Sequence, residues 1–385
     1  MSNSQQTSEE LQDRWNKIAW PKHATELHVH LGGSVPLYRL WEIAVTRGIR
    51  GLGNGYEEFI QTLRRDRDRI ASLDEYLEVY DRVELIQSGP DAVRESVTIA
   101  IHRAYLDGGT LMMGQGGEPS PSKPLFAISR LELRFNPLKR TGAVFLKGKH
   151  AGLYDVDRII RAAATAISDC EIGFRGSIQT GLLFCFGRDM TYEANCILAK
   201  KVRTWVEEEE SIVGVDLAGP ESVNPLSDPH QLKRMKEVFD LVGPKLGRTI
   251  HVGETPHVDL KTFINTVETL EPTRVAHPIV AARSYLTDKN PDGLKVLQER
   301  GIVCELCVHS NLLTGAVNSL EEYGELIKVF DEFQIPYTFS TDAPSLQVTT
   351  LASELHHLFM AGGITEDQIL RSFETADKSS FLPSE

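Results

Sequence analysis

Apolar and polar positions along this chain follow two alternating periods. Short runs dense in β-branched and aromatic residues recur at ATELHVHL (24–31), RLELRFNP (130–137), IGFRGSIQTGLLFCF (172–186), IVGVDLAG (212–219), RTIHVGE (248–254), TRVAHP (273–278), GIVCELCVHSN (301–311) and IPYTFSTDA (335–343). Between them lie segments such as DVDRIIRAAATAISDC and YEANCILAKKVRTWVEEEE, whose apolar residues fall three and four apart. The first kind of run reads as a strand and the second as an amphipathic helix. Eight such alternations predict an α/β fold with a parallel sheet closed into a (β/α)8 TIM barrel. A doubly wound open sheet would alternate as well. It usually carries a glycine-rich phosphate turn after its first strand, and no G-x-G-x-x-G or Walker pattern is present.

Residues 1–385 read as a single barrel domain in which two stretches interrupt the alternation. The connection after the first strand is long and predicts helices near 36–49, 56–70, 73–87 and 90–107, a helical insertion over about 36–107 at the barrel mouth. Segment 111–129 (LMMGQGGEPSPSKPLFAIS) is rich in Gly, Pro and Ser and reads as a loop on the opposite, N-terminal face. Residues 138–152 after the second strand are expected to be mobile.

Composition narrows the function without choosing it. The chain has 385 residues, 41% hydrophobic and 25% charged, ordinary values for a globular protein. A net charge of −13 argues against a nucleic-acid partner, whose phosphates need a basic face. Five cysteines in a chain this long do not make a disulfide scaffold. Cys304 and Cys307 form a C-x-x-C inside a predicted strand, where positions three apart face opposite ways, and both read as structural. No secretory signal precedes the fold and no run of 18 apolar residues is present, so a cytoplasmic location and no membrane partner are expected.

The chemistry sits at the ends of the predicted strands: His28 and His30 on the first, His251 and Glu254 on the fifth, His277 on the sixth, Asp342 on the eighth. Each has an ordinary structural use alone. Two histidines in H-x-H can be satisfied core side chains, His277 can bond a backbone carbonyl, and Asp342 can cap a helix. In a barrel, however, strand C-terminal ends converge on one mouth. His28 and His30, at i and i+2, point the same way, about 7 Å apart along the strand. Three imidazoles and one carboxylate around that mouth suit a zinc or another borderline divalent ion. The fourth run, IVGVDLAG, offers no lysine to bridge a second metal, which favours one ion per chain.

The set ELHVHLGGS, GVDLAGPES, TIHVGE, RVAHP, SNLLTGA, STDAP and ETADKSSFL, in that order over roughly residues 20–383, resembles the adenosine deaminase family. The resemblance implies that His28, His30, His251 and Asp342 hold Zn²⁺. It implies that Glu254 protonates the purine ring nitrogen next to the carbon under attack. His277 would orient the attacking water and stabilise developing charge, and Gly219 would meet the purine edge through its backbone. The implied reaction is zinc-dependent hydrolytic deamination of adenosine or a related 6-aminopurine nucleoside, giving the 6-oxo product and ammonia.

Departures from the family pattern fall on the substrate side. Ala343 stands where the family has a second aspartate, and Gly32 where it often has an acid near the sugar. Pro220 and Pro278 replace an Asp and a Gly. The expected partner is therefore a small-molecule purine, with Gly32, Gly219 and Ala343 as substrate-side positions. Open alternatives are a modified adenine compound (aminodeoxyfutalosine, methylthioadenosine or an N6-substituted adenine), a metal hydrolase of a phosphoester, amide or lactone, and a metal-binding barrel with weak or no deaminase activity. The oligomeric state is left open.

Overall fold

The computed structural model describes residues 7–63, 72–111, 124–142 and 155–383. Eight strands run in chain order around one sheet: β1 (His23–His30), β2 (Ala127–Phe135), β3 (Gln179–Gly187), β4 (Ile212–Ala218), β5 (Gly247–His251), β6 (Arg274–Ala276), β7 (Val303–Leu306) and β8 (Tyr337–Phe339). Every neighbouring pair is parallel. The sheet closes just past β8. There Asp342 N donates to His28 O at 2.9 Å, and His30 N donates to Asp342 O at 2.7 Å. The eight parallel strands and the helices around them form the (β/α)8 barrel read from the sequence.

Strands this short and this apolar survive because both faces are covered, by the barrel interior and by the helical ring. Val215, Leu217, Ile250, Val275, Cys304 and Leu306 are fully or almost fully buried in one continuous core. Helices Val156–Gly173, Tyr192–Trp205, Pro229–Val242, Leu260–Leu270 and Leu320–Glu332 begin on Asp155, Thr191, Asp228, Asp259 and Ser319, whose side chains cap the first turn.

Among the described residues, five helices follow β1: Leu31–Ser34, Leu37–Thr46, Tyr56–Leu63, Leu73–Ile86 and Pro90–Asp107. Val35, Leu40, Ile43, Phe59, Val79, Val83 and Ile86 gather there into a second apolar cluster, completed by Ala343 and Leu346 from beyond β8. Helices and barrel rim therefore share a core.

Some boundaries differ from the pattern. Residues 172 and 173 finish a helix, and β3 starts only at Gln179. The seventh run ends as a strand at Leu306. Val308–Leu313 then turns into a helix, because the chain must leave the rim once its last core-facing residue is placed. β2 begins at Ala127, so the loop expected over 111–129 ends in strand. Its residues 112–123, and 143–152 of the stretch expected to be mobile, lie outside the described residues. No helix among the described residues is long and apolar enough to cross a membrane.

Candidate active site

The barrel mouth brings His28, His30, His251, Glu254, His277 and Asp342 to one place. His30 Nε2 lies 3.2 Å from both His28 Nε2 and His251 Nε2. Asp342 Oδ1 stands 3.5 Å from His30 Nε2 and 3.7 Å from His28 Nε2. The strand closure described above causes this, since it locks Asp342 between the backbones of the two β1 histidines. Asp342 and His277 both hold positive φ, 61° and 54°. A non-glycine residue adopts that conformation only where its surroundings enforce it.

What lies behind the imidazoles shows which way they face. His28 Nδ1 is 2.8 Å from Glu305, and His251 Nδ1 is 3.1 Å from Asp216. A carboxylate at Nδ1 fixes the proton there and turns the Nε2 lone pair outward. Lone pairs of His28 and His251 thus converge on His30 and on Asp342 Oδ1, with Ser310 holding Oδ2 at 2.6 Å. Acceptors this close repel one another unless a cation stands among them. Three imidazole nitrogens, one carboxylate oxygen and no thiolate are a donor set that fits a single borderline divalent ion. Cys307 also lies near His28 and His277, but burial pushes its thiol well above the ordinary range and keeps it neutral.

The two orienting carboxylates belong to a buried chain of alternating charge. Arg134 reaches Asp216 at 3.4 Å and Glu305 at 3.0 Å. Arg274 reaches Glu305 at 2.7 Å and pairs with Glu132. Glu132 in turn accepts from Ser380 Oγ and from the Phe381 backbone, and the Phe381 ring covers the Arg274 guanidinium at 3.6 Å. The barrel axis thus carries the sequence Asp216, Arg134, Glu305, Arg274, Glu132. Burial acts to raise Glu305, but Arg134 and Arg274 overcome it and hold its carboxyl below the ordinary value. Asp216 likewise lies well below, with His251 and Arg134 outweighing burial.

Glu254 meets the opposite environment. Burial and then the charge of Glu221 push its carboxyl up to about 7. Its Oε1 accepts from Asn311 Nδ2 at 3.1 Å and from Thr314 at 2.9 Å. No described residue bonds Oε2, which leaves that oxygen for the proton. Asn311 is oriented by Tyr323, whose hydroxyl donates to its Oδ1. Asn311 Nδ2 therefore also faces His277 Nδ1, at 3.0 Å. That contact makes Nδ1 the acceptor and puts the His277 proton on Nε2. Burial, then repulsion from His251, lowers His277 to about 4, so the ring is neutral at neutral pH.

A cavity of about 290 Å³ opens onto this group, with His30, Gly32, Gly219, His251, Glu254, His277 and Asp342 in its wall. Gly219 has a φ of 101°, which a side chain would strain, so bare backbone faces the cavity. Ala343 is not brought there. It is fully buried in the second apolar cluster, and its Cβ lies 2.3 Å from where a Cβ on Gly33 would stand. The missing aspartate is thus replaced by packing against Gly33.

Sequence reasoning missed Glu305, Asp216, Arg134, Asn311, Thr314 and Glu221. Glu221 fixes the segment after β5, accepting from Gly253 N and Thr255 N, both at 2.8 Å. A charged residue inside an apolar strand was a usable signal for Glu305 and Asp216, since such a residue is buried only when paired.

The family model for adenosine deaminase matches residues 127–385. The chain is 27% identical over 376 residues to an adenosine deaminase of Clostridium kluyveri, covering 96% of this chain and 92% of that one. It is 26% identical over 370 residues to the adenosine deaminase of Bos taurus, covering 95% and 92%. Among solved structures, an amidohydrolase from Burkholderia ambifaria with bound Zn shares the fold at a TM-score of 0.73. That pair is 16% identical, with 99% of this chain and 90% of that one covered.

Proposed function

The chain belongs to the adenosine deaminase family and is a hydrolytic aminohydrolase of the purine-deaminating kind, and we propose that it removes the 6-amino group of a purine nucleoside using one zinc ion. His28, His30, His251 and Asp342 would hold the ion. The observation that carries this reading is the convergence of imidazole lone pairs and Asp342 Oδ1 beside a carboxyl that is half protonated near neutral pH. The bound Zn in the Burkholderia relative supports the choice of metal.

When bound, the ion would supply Lewis acidity that makes water nucleophilic near neutral pH. The chain's own residues do the rest. Glu254, with Oε1 occupied by Asn311 and Thr314, holds a proton on Oε2 and delivers it to the ring nitrogen beside the attacked carbon. That protonation lets the aromatic ring accept a nucleophile. Neutral His277 points an Nε2–H donor at the reacting centre, orienting the water and stabilising the charge that develops. Gly219 lets the flat base approach the wall without a side chain in between. Water's oxygen becomes the 6-oxo group, and the amine leaves as ammonia.

The test is zinc content of the purified protein together with ammonia release across a panel of 6-aminopurines. A stoichiometric metal with release from at least one purine is the expected result. A protein that takes up no divalent ion, or takes it up and releases no ammonia from any purine, refutes the proposal.

A further inference from the structure

The wall beside Gly32 carries a guanidinium and an unpartnered amide that a neutral sugar does not require. A Cβ on Gly32 would stand 2.8 Å from the Tyr80 ring and 3.5 Å from Nη2 of Arg140. A guanidinium therefore stands where the resemblance leads one to expect a carboxylate. Arg140 is 2% exposed, and its Nε has no hydrogen-bond acceptor. Four residues earlier, Asn136 is 6% exposed, and its Nδ2 is likewise unpartnered. Its orientation is fixed, because Oδ1 accepts from Leu138 N at 2.9 Å and Lys139 N at 3.2 Å. The amide nitrogen must face the other way. Asn136, Lys139 and Arg140 all line the cavity that holds the histidines.

A buried donor without an acceptor needs a water, an ion or a ligand to satisfy it. Here two, Arg140 Nε and Asn136 Nδ2, lie on one five-residue segment after β2, on residues that line the cavity holding the histidines. Two acids already touch this segment: Asp189 sits 2.6 Å from Lys139 Nζ, and Glu84 sits 3.2 Å from Arg140 Nη1. They pair with both cations while leaving Arg140 Nε and Asn136 Nδ2 unused. Glu78 and Asp81 also line the cavity, but both are exposed to water at its rim.

We propose that Asn136, Lys139 and Arg140 form a subsite for an anionic group, a carboxylate or a phosphate, carried on the sugar end of the 6-aminopurine substrate. The inference rests on the proposed deamination for its placement of the base. It narrows the substrate to anionic nucleoside derivatives over neutral ones such as methylthioadenosine. A guanidinium and an amide suit either anion, the first as a planar fork and the second as a single donor.

Calorimetric binding of three product-like ligands tests this without turnover: inosine, inosine 5′-monophosphate and inosine 5′-carboxylate. One charge-assisted hydrogen bond changes affinity by about 10- to 150-fold. At least one anion should bind 10-fold or more tighter than inosine, and the better of the two identifies the group. Arg140→Gln should erase most of that ratio. Should that variant fail to fold, Glu84→Gln tests the same point with the opposite sign. It removes the acid competing for Arg140, so the anion should bind more tightly while inosine binds as before. Equal affinities for inosine and both anions, within threefold, overturn the subsite and leave the deamination proposal intact. Tight anion binding with no ammonia from any 6-aminopurine sinks the deamination proposal and leaves the subsite standing.

Discussion

Glu254 gives the sharpest prediction, because one carboxyl controls both rate and stability with opposite consequences. Its pKa of about 7 means about nine molecules in ten carry the proton at pH 6 and about one in ten at pH 8. If the protonated form delivers the ring proton, kcat/KM should fall about tenfold over that interval, with the descending limb centred near pH 7. The same shift changes stability. The folded pKa lies above the ordinary 4.5, so the native state binds more protons than the unfolded chain between those values. Stability is fully present below about 4.5 and is lost as pH rises through 7. The interval corresponds to about 3 kcal/mol at pH 8. Glu254→Gln keeps an acceptor for Asn311 and Thr314 but cannot ionise. It should lose activity by several orders of magnitude, and it should resist urea better than the wild type at pH 8 and not at pH 4. The assays are ammonia release from pH 5.5 to 9 and paired urea titrations. A flat profile across pH 6–8, or a variant keeping a tenth of the activity, would refute the acid role. A variant no more stable at pH 8 would show that burial of the carboxylate costs nothing there.

Glu305→Gln removes the anion behind His28 and should weaken zinc binding by about 10- to 100-fold in competition with a coloured chelator; unchanged affinity would show that His28 needs no such partner. Chelation of the metal should abolish ammonia release, and added Zn²⁺ should restore it; full activity in the chelated protein would remove the ion from the reaction. Ala343→Asp restores the family's aspartate but places a charge in the apolar cluster against Gly33, so it should lower stability by about 2–5 kcal/mol in urea and leave adenosine turnover no higher. A gain in turnover at unchanged stability would mean that residue 343 reaches the substrate after all.

The parts of this molecule that were legible in the sequence are those where chemistry interrupts an apolar run. HVH, HVGE, AHP and STDA each end a short strand with groups that no core needs, and strand ends of a parallel barrel meet. Helix positions were legible from apolar spacing. The lesser boundaries were not. Ile172 lies next to residues of strand-like composition, yet it is 75% exposed at a helix end, because only the sheet partner decides where β3 begins. Pairings across the barrel were also hidden. Glu305 finds His28 across 277 positions; the lone charge in CELC signals a buried partner, and nothing local says which one. Ala343 reads as a substrate position only through the resemblance, which has a second aspartate there; the left-handed turn at Asp342 sends the next side chain away from the cavity.

The row of alternating charges along the barrel axis also constrains how this protein can evolve. Replacing any one of Arg134, Glu305, Arg274 or Glu132 removes a charge that balances its buried neighbours. That costs about 3–5 kcal/mol, out of a total of about 5–15 for a typical fold. Single steps away from the row are thus close to lethal, while a simultaneous exchange of Glu132 and Arg274 for two apolar residues is nearly neutral by the same arithmetic. Among descendants of this chain, positions 132 and 274 should be inherited or abandoned as a pair. The cavity wall at Lys139 and Arg140, with no such coupling along the axis, is where new substrate preferences are free to arise.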